Sequence, residues 1–365
     1  MKISGTADLP LHYGNAPRWL FERMRRLARA IGEVILNEYG SKEFIKRISN
    51  PYWFQAFACL LGFDWHSSGT TTVTIAALKE SGVDRFGLFI VGGKGKAGLR
   101  TTDEIKEMIN KGIITDKIGE RLIYISRMCS KIDNVLIQDG FDLYQHSLIF
   151  DEKARWAVVQ QGMNNKTSYA RRYHWLYVKI NNMIKDEHDI CCDIKQKNVL
   201  NLTGKKSDEN RKVCVDIVNE GKERIRRYVK EVIGKSCTGL NKWFRSKELA
   251  PRLDMPRKLN WNVFDKLYEV KPKRYEEIVR TNGMGKENIR ALALIAEVIY
   301  GKEADWKDPV KFSYAHGGKD GVPYPVNKKV YDESIRTLEN FIEQAKLCNK
   351  DKEFIKKKLM RFKRF

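Results

Sequence analysis

Aspartate, histidine, lysine and serine gather in short blocks flanked by glycine. "GTADLPLH" (5–12) carries Asp8 and His12, and "FDWHSSG" (63–69) carries Asp64, His66, Ser67 and Ser68. "GGKGK" (92–96) sets Lys94 and Lys96 on a loop at a strand end. "SKIDNVLIQDGFDLYQH" (130–146) carries Lys131, Asp133, Asp139, Asp142 and His146, and the following run adds Gln160 and Gln161. Two chemistries fit this inventory. In a metal-dependent nuclease, Asp133, Asp139 and Asp142 would hold Mg²⁺ or Mn²⁺, which activates water and steadies phosphorane charge. Lys131 or His146 would then orient the nucleophile. In a lyase acting on abasic sites, the amine of Lys94 or Lys131 would attack the sugar aldehyde to form a Schiff base. A histidine or carboxylate would remove the neighbouring proton, and no metal is required. His12, Asp64 and His66 join the catalytic candidates on either route.

Aspartate, histidine and lysine beside glycine are also ordinary cap and turn residues, so each position has a purely structural alternative. The same holds for "AHGGKDGVPYPV" (315–326), which offers His316, Lys319 and Asp320 but also reads as a rigid strap. "GGKGK" is not a nucleotide P-loop, because the G-x-x-x-x-G-K-[ST] spacing is absent.

A second set of residues points to phosphate. In "TNGMGKENIRALALIAEVIYG" (281–301), two glycines one residue apart separate a short helical segment, 275–280, from a longer one, 286–300. Ile278, Gly283, Met284, Gly285 and Ala291 follow the pattern of a helix-hairpin-helix. Glycine admits unusual dihedrals and leaves no side chain in the way. The amides of Gly283 and Gly285, with the positive end of the second helix and Lys286, would meet a phosphate without regard to base sequence. The structural alternative is a glycine that merely starts a tight turn. DNA glycosylases that use this motif place an aspartate beyond the second helix, and Asp305 and Asp308 are available. The lyase subclass has a lysine two residues after the second glycine, where this chain has Glu287.

"NNKTSYARRYHWLYVKI" (164–180) interleaves Arg171, Arg172 and Lys179 with Tyr169, Tyr173, His174, Trp175 and Tyr177. Cations for phosphate beside rings for stacking suit single-stranded nucleic acid. The rival is a strand or helix with buried aromatics and a solvated basic face.

The elements that must position these residues read as α+β. Helical spacing runs over 17–39, Gly40 stops it, a short helix fills 41–48, and Pro51 opens another to Leu61. "FGLFIVGGKGKAG" (86–98) is a strand feeding a loop, and 102–111 is helical. Residues 141–163 alternate on both sides of Asp151-Glu152-Lys153 as a β-hairpin. From 261 to about 305 the chain reads as helical, and the basic, amphipathic end, 350–365, suits docking on the body. The organisation expected is a mixed α/β catalytic part over 1–165, a basic helical linking region over 166–255 and a helical part over 256–365 carrying the hairpin.

The 365 residues have 42% apolar content, enough for real cores, and a net charge of +22 with pI near 9.6. An ion-pair-rich surface of thermophilic style accounts for many charges but not for that imbalance. A nucleic-acid partner does account for it, with DNA favoured. No stretch reaches the length of a membrane span, and the N-terminus lacks the features of a signal peptide. Seven cysteines with no C-x-x-C pair suit reduced thiols in the cytoplasm. His188, Cys191 and Cys192 lie close in sequence but match no zinc spacing. Neither the metal requirement nor the oligomeric state follows from these residues.

The chain resembles the domain-of-unknown-function family 763 of archaea and bacteria nearly end to end. The matching blocks include "GTADLPLHYG", "GFDWHSSG", "GGKGKA", "SRMCSKID", "QDGFDLYQH", "WAVVQQGMN", "YARRYHW", "GMGKENIRALALIAEVIYG" and "DPVKFSYAHGGKDGVPYPV". The resemblance implies no activity, so the site residues rest on their own chemistry. The reading that combines them is a DNA-processing enzyme that cleaves strands at damaged or single-stranded sites, as an abasic-site endonuclease or lyase of DNA repair. The alternatives are a non-enzymatic DNA-binding module, a helix-hairpin-helix glycosylase and an enzyme acting on RNA.

Overall fold

The structure, a computed structural model, describes residues 18–62, 69–167, 169–185, 188–192, 195–237 and 254–311, with isolated positions between 336 and 353. Helix α1 (Arg18–Ile48) bends at Gly40, whose φ of 76° is open to glycine, so the two helical runs expected on either side of it are one kinked element. Asn50 caps α2 (Pro51–Leu61) by accepting from the amides of Tyr52 and Trp53. Helix α3 (Gly69–Lys79) completes this N-terminal layer.

Among the described residues, one antiparallel sheet has the order β1-β3-β4-β5-β6. Its strands are β1 (Leu88–Lys94), β3 (Asp142–Asp151), β4 (Trp156–Asn164), β5 (Tyr169–Leu176) and β6 (Asp189–Cys191). Alternation along each strand sends Ile149, Ala157 and Val159 to the face covered by α1 to α3. It sends Leu148, Val158, Tyr173 and Trp175 to the opposite face. Helices α4 (Lys96–Leu99), α5 (Thr101–Asn110) and α6 (Asp116–Lys131) follow β1. One turn of π-helix, Ile132–Leu136, leads from α6 into the short strand β2 (Ile137–Gln138), which pairs with β7 (Leu200–Asn201). The C-terminal helices are α7 (Asp208–Asn219), α8 (Lys222–Cys237), α9 (Trp261–Val270), α10 (Tyr275–Arg280) and α11 (Lys286–Val298). The protein is thus mixed α and β, with a central antiparallel sheet and helices towards both ends of the chain.

The expected divisions after 165 and after 255 are not breaks in packing. Residues 165–167 are the turn between β4 and β5, which pair along their whole length, and this turn splits no core. One apolar cluster runs from Val91 through Trp175 and Ile217 to Leu294 and Val310. The region between those divisions includes strands as well as helices, because β5 and β6 complete the sheet.

Candidate nucleic-acid interface

The three aspartates read as metal ligands go to three different places. Asp133, on the π turn, is fully buried under the sheet. Its Oδ2 accepts from Trp175 Nε1 at 2.8 Å and from the Gln160 amide nitrogen. Its Oδ1 is 2.6 Å from His188 Nε2, but too far off line for a good hydrogen bond. The His188 ring stacks on Trp175, centroids 3.8 Å apart. Asp139 accepts from Arg171 at 2.7 Å and from the Tyr173 hydroxyl at 2.9 Å, also in the interior. Asp142 lies at the surface, 2.8 Å from the Lys286 ammonium. Among the described residues no group of three or more His, Cys, Asp or Glu is placed to hold a metal ion. The ligand set Asp133, Asp139 and Asp142 is therefore not assembled, and neither is one from His188, Cys191 and Cys192.

His146 belongs to the Asp133 network. A carboxylate only accepts, so Gln160 turns its NH₂ to Asp133 and its oxygen to His146 Nδ1, 2.6 Å away. Nδ1 therefore carries the proton, and Nε2 accepts from the Ser126 hydroxyl at 2.7 Å. Ser130 also donates to the Gln160 oxygen, at 3.0 Å. Burial lowers the His146 pKa, with the Gln160 bond and the Asp133 charge opposing it. The ring is a neutral link in an interior chain rather than a base facing solvent.

The centre of the aromatic–basic block, Arg171 to Trp175, is interior as well, whereas Tyr169 and Tyr177 are half-buried and Lys179 is exposed. Arg171 is 0% exposed and Arg172 1%, and the rings of Tyr173 and Trp175 are both at 0%. Arg171 forks onto Asp308, 2.8 and 3.1 Å, while also holding Asp139. Burial alone would lower its pKa, but the Asp139 and Asp308 charges outweigh that and keep the guanidinium charged. Arg172 donates to Gln55 at 2.8 Å and lies over the Phe54 ring. The expectation that Arg171, Arg172, Tyr173 and Trp175 contact a strand of nucleic acid is thus overturned. β5 is a central strand with helices on both faces, so its cations face carboxylates and amides instead of solvent. Asp308, a possible glycosylase aspartate, is engaged by Arg171, and Asp305 lies against Gly204.

The turn between α10 and α11 is different. Gly283 has φ 90°, and a Cβ there would stand 2.9 Å from Asn260 Nδ2, which donates to the Gly283 carbonyl. Gly285 is extended (φ −110°, ψ 178°), so only one of the two glycines needs its special freedom. No side chain caps the start of α11. The turn rests on the end of α6 and on β2: Lys131 Nζ donates to the Met284 carbonyl, and Gln138 donates to the Lys286 carbonyl at 2.8 Å. Arg280 covers the Tyr124 ring, centroid 5.4 Å away, and Tyr124 donates to Glu276. On α6, Tyr124, Arg127 and Lys131 recur at i, i+3 and i+7, hence on one side of the helix. Arg127, Arg280 and Lys286 are exposed and Lys131 is half-buried. Burial lowers the Lys131 pKa. Arg127 and Arg280 were not among the residues singled out in the sequence. The helical spacing of Arg127 to Lys131 was the available signal.

Towards the start of α10 lies a cavity of about 390 Å³ lined by Lys185, Lys212, Lys273 and Arg274 together with Asp208, Asp216 and Glu276. Lys94 is exposed at the far end of β1, opposite Gln145 in the ladder. His12, Asp64 and His66 lie outside the described residues, as do Asp8, Ser67, Ser68, His316, Lys319 and Asp320. Most of the basic end, 350–365, does too. No helix among the described residues is long and apolar enough to cross a membrane.

The fold defines a layered helix–sheet–helix protein with a cation-rimmed helical turn at its surface. The chain belongs to the family described as "Protein of unknown function (DUF763)", which matches residues 5–326. No curated protein and no solved structure matches the chain.

Proposed function

We propose that the protein is a DNA-processing enzyme that grips the DNA backbone with a helix-hairpin-helix, residues 275–298, and cleaves strands at damaged sites such as abasic residues. The observation that carries this reading is the surface turn 281–285 with Arg127, Lys131, Arg280 and Lys286 around it. An uncapped helix start beside clustered cations suits a phosphate, and contacts of this kind are indifferent to sequence. The net charge of +22 supports an acidic polymer as partner. With Tyr173 and Trp175 interior, those rings supply no stacking surface, so duplex and single strand enter as equals. The glycosylase alternative is weakened by the ion pair on Asp308. A binding module without catalysis is favoured by one observation: Asp133 Oδ2 and the Asp139 carboxylate are already engaged by protein partners in the interior.

Labelled oligonucleotides with and without one abasic site, incubated in Mg²⁺ or in EDTA and resolved on a denaturing gel, test the proposal. Cleavage at the abasic site is the expected result. Salt-sensitive binding with no product on any substrate would leave the binding module, and binding that ignores salt would remove nucleic acid altogether.

A further inference from the structure

Of the lysines around the hairpin, one is held differently. Lys286 pairs with Asp142 at 2.8 Å, and Lys79, in the N-terminal layer, pairs with Glu104 at 2.6 Å. Each of these two amines faces a carboxylate. Lys131 instead donates to the neutral carbonyl of Met284, which accepts equally well from an amine. It is half-buried, at the foot of the turn that would hold the backbone. Partial burial disfavours its charged form and lowers its pKa from the ordinary lysine value, the direction that favours a nucleophilic amine. Asp142 stands at the same turn, exposed, with Lys286 on it. A phosphate drawing Lys286 away would leave this carboxylate free to accept a proton.

We propose that the Lys131 amine is the nucleophile of a Schiff-base strand-cleavage step on the open-chain aldehyde of an abasic site, and that the Asp142 carboxylate receives the proton removed from the sugar. The assignment rests on the DNA-processing reading above. The amine adds to the aldehyde carbon, and loss of water forms the protonated imine. Asp142 takes a proton from the carbon next to the imine. The electron pair of that C–H bond becomes a carbon–carbon double bond, and the bond to the 3′ phosphate oxygen breaks, releasing the phosphate-ended strand. Water then hydrolyses the imine, returning the Lys131 amine and an unsaturated aldehyde. No oxidant, reductant or metal enters the balance.

The test is borohydride trapping on an abasic oligonucleotide in EDTA, where reduction of the imine leaves a stable protein–DNA adduct. The full chain should give the adduct. K131R keeps a donor for the Met284 carbonyl and should melt as the unmodified protein does, yet lose the adduct at least tenfold. D142N should keep the adduct while strand release slows at least tenfold, because it leaves imine formation intact. An adduct that survives K131R and disappears in K94Q would overturn the assignment. So would cleavage in EDTA with no adduct at all. If the protein binds DNA in a salt-dependent way but forms no adduct, the amine assignment fails while the DNA reading stands. If it neither binds nor cleaves, both fail.

Discussion

Strand β5 and the turn between α10 and α11 both carry residues able to hold a phosphate, and they meet opposite fates. On β5 the guanidiniums of Arg171 and Arg172 are enclosed, and their anionic and amide partners are Asp139, Asp308 and Gln55. At the turn, Arg280, Lys286 and Arg127 remain exposed, and the carbonyls of Met284 and Lys286 are held from beneath by Lys131 and Gln138. The difference is one of layers. A strand with neighbours on both edges and helices on both faces has no side left for solvent, so a charge there must be matched from within. A helical turn packed on one side keeps the other. Positive charge in a sequence therefore counts towards a surface only when the element carrying it has a free face.

The largest effect that separates the two regions should come from Arg171. Arg171→Ala leaves two buried carboxylates facing no cation and should cost about 3–5 kcal/mol, read by chemical denaturation. Arg172→Ala, with the Gln55 oxygen left unpaired, should cost about 1–3 kcal/mol. Among molecules still folded, neither should change the salt dependence of DNA binding. If the double variant folds normally and binds DNA weakly, the interior assignment of β5 breaks.

Acid provides a second probe of the interior. Burial depresses the pKa of both His146 and His174, with Arg172 and Lys179 also lowering His174. Groups depressed in the fold contribute stability that is present above their unfolded value of about 6.5 and lost as pH falls below it. Each can steepen the loss by at most about 1.4 kcal/mol per pH unit. Thermal melts between pH 8 and pH 5 should show this slope, and His146→Asn should flatten it. A melting temperature level across that range would show that neither ring is as enclosed as its surroundings imply.

Within the turn, the two glycines should behave differently. Gly283→Ala meets positive φ and the Asn260 amide, and should cost about 1–3 kcal/mol. Gly285→Ala meets extended backbone and should stay within about 0.5 kcal/mol. Equal losses at both would mean the turn adopts another conformation. The smallest stability change should come from replacing Arg280 and Lys286 together with alanine, within about 1 kcal/mol. That pair should nonetheless lower DNA affinity and reduce the slope of log affinity against log salt by roughly one for each phosphate no longer neutralised. An unchanged slope would show that the turn is not the surface that meets DNA.

Much of the local architecture was legible without coordinates. The Gly40 break, the Pro51 helix start, the hairpin around Asp151 and the limits of α10 all follow from periodicity and punctuation. Those signals are local, acting within one or two turns of chain. The candidate site was legible in composition but not in assembly. Lys131, Asp133, Asp139, Asp142 and His146 lie within 16 positions, yet Asp133 and His146 share Gln160 of another strand as partner, Asp139 turns to Arg171 and Tyr173, and Lys131 and Asp142 meet the turn before α11. Spacing within a helix, a π turn and a strand says little about which way each side chain points once those elements cross.

By itself the sequence determined the mixture of helices and strands, the basic character, the family membership and the glycine turn before α11, because each depends on composition or on neighbours along the chain. The tertiary structure alone decided that Arg171 faces Asp139 and Asp308, 32 and 137 residues away, that the three aspartates part company, and that Lys131 sits under Met284. Those outcomes depend on which layers cover which faces. Burial makes a charge find a partner, and only the packed fold brings distant partners within reach.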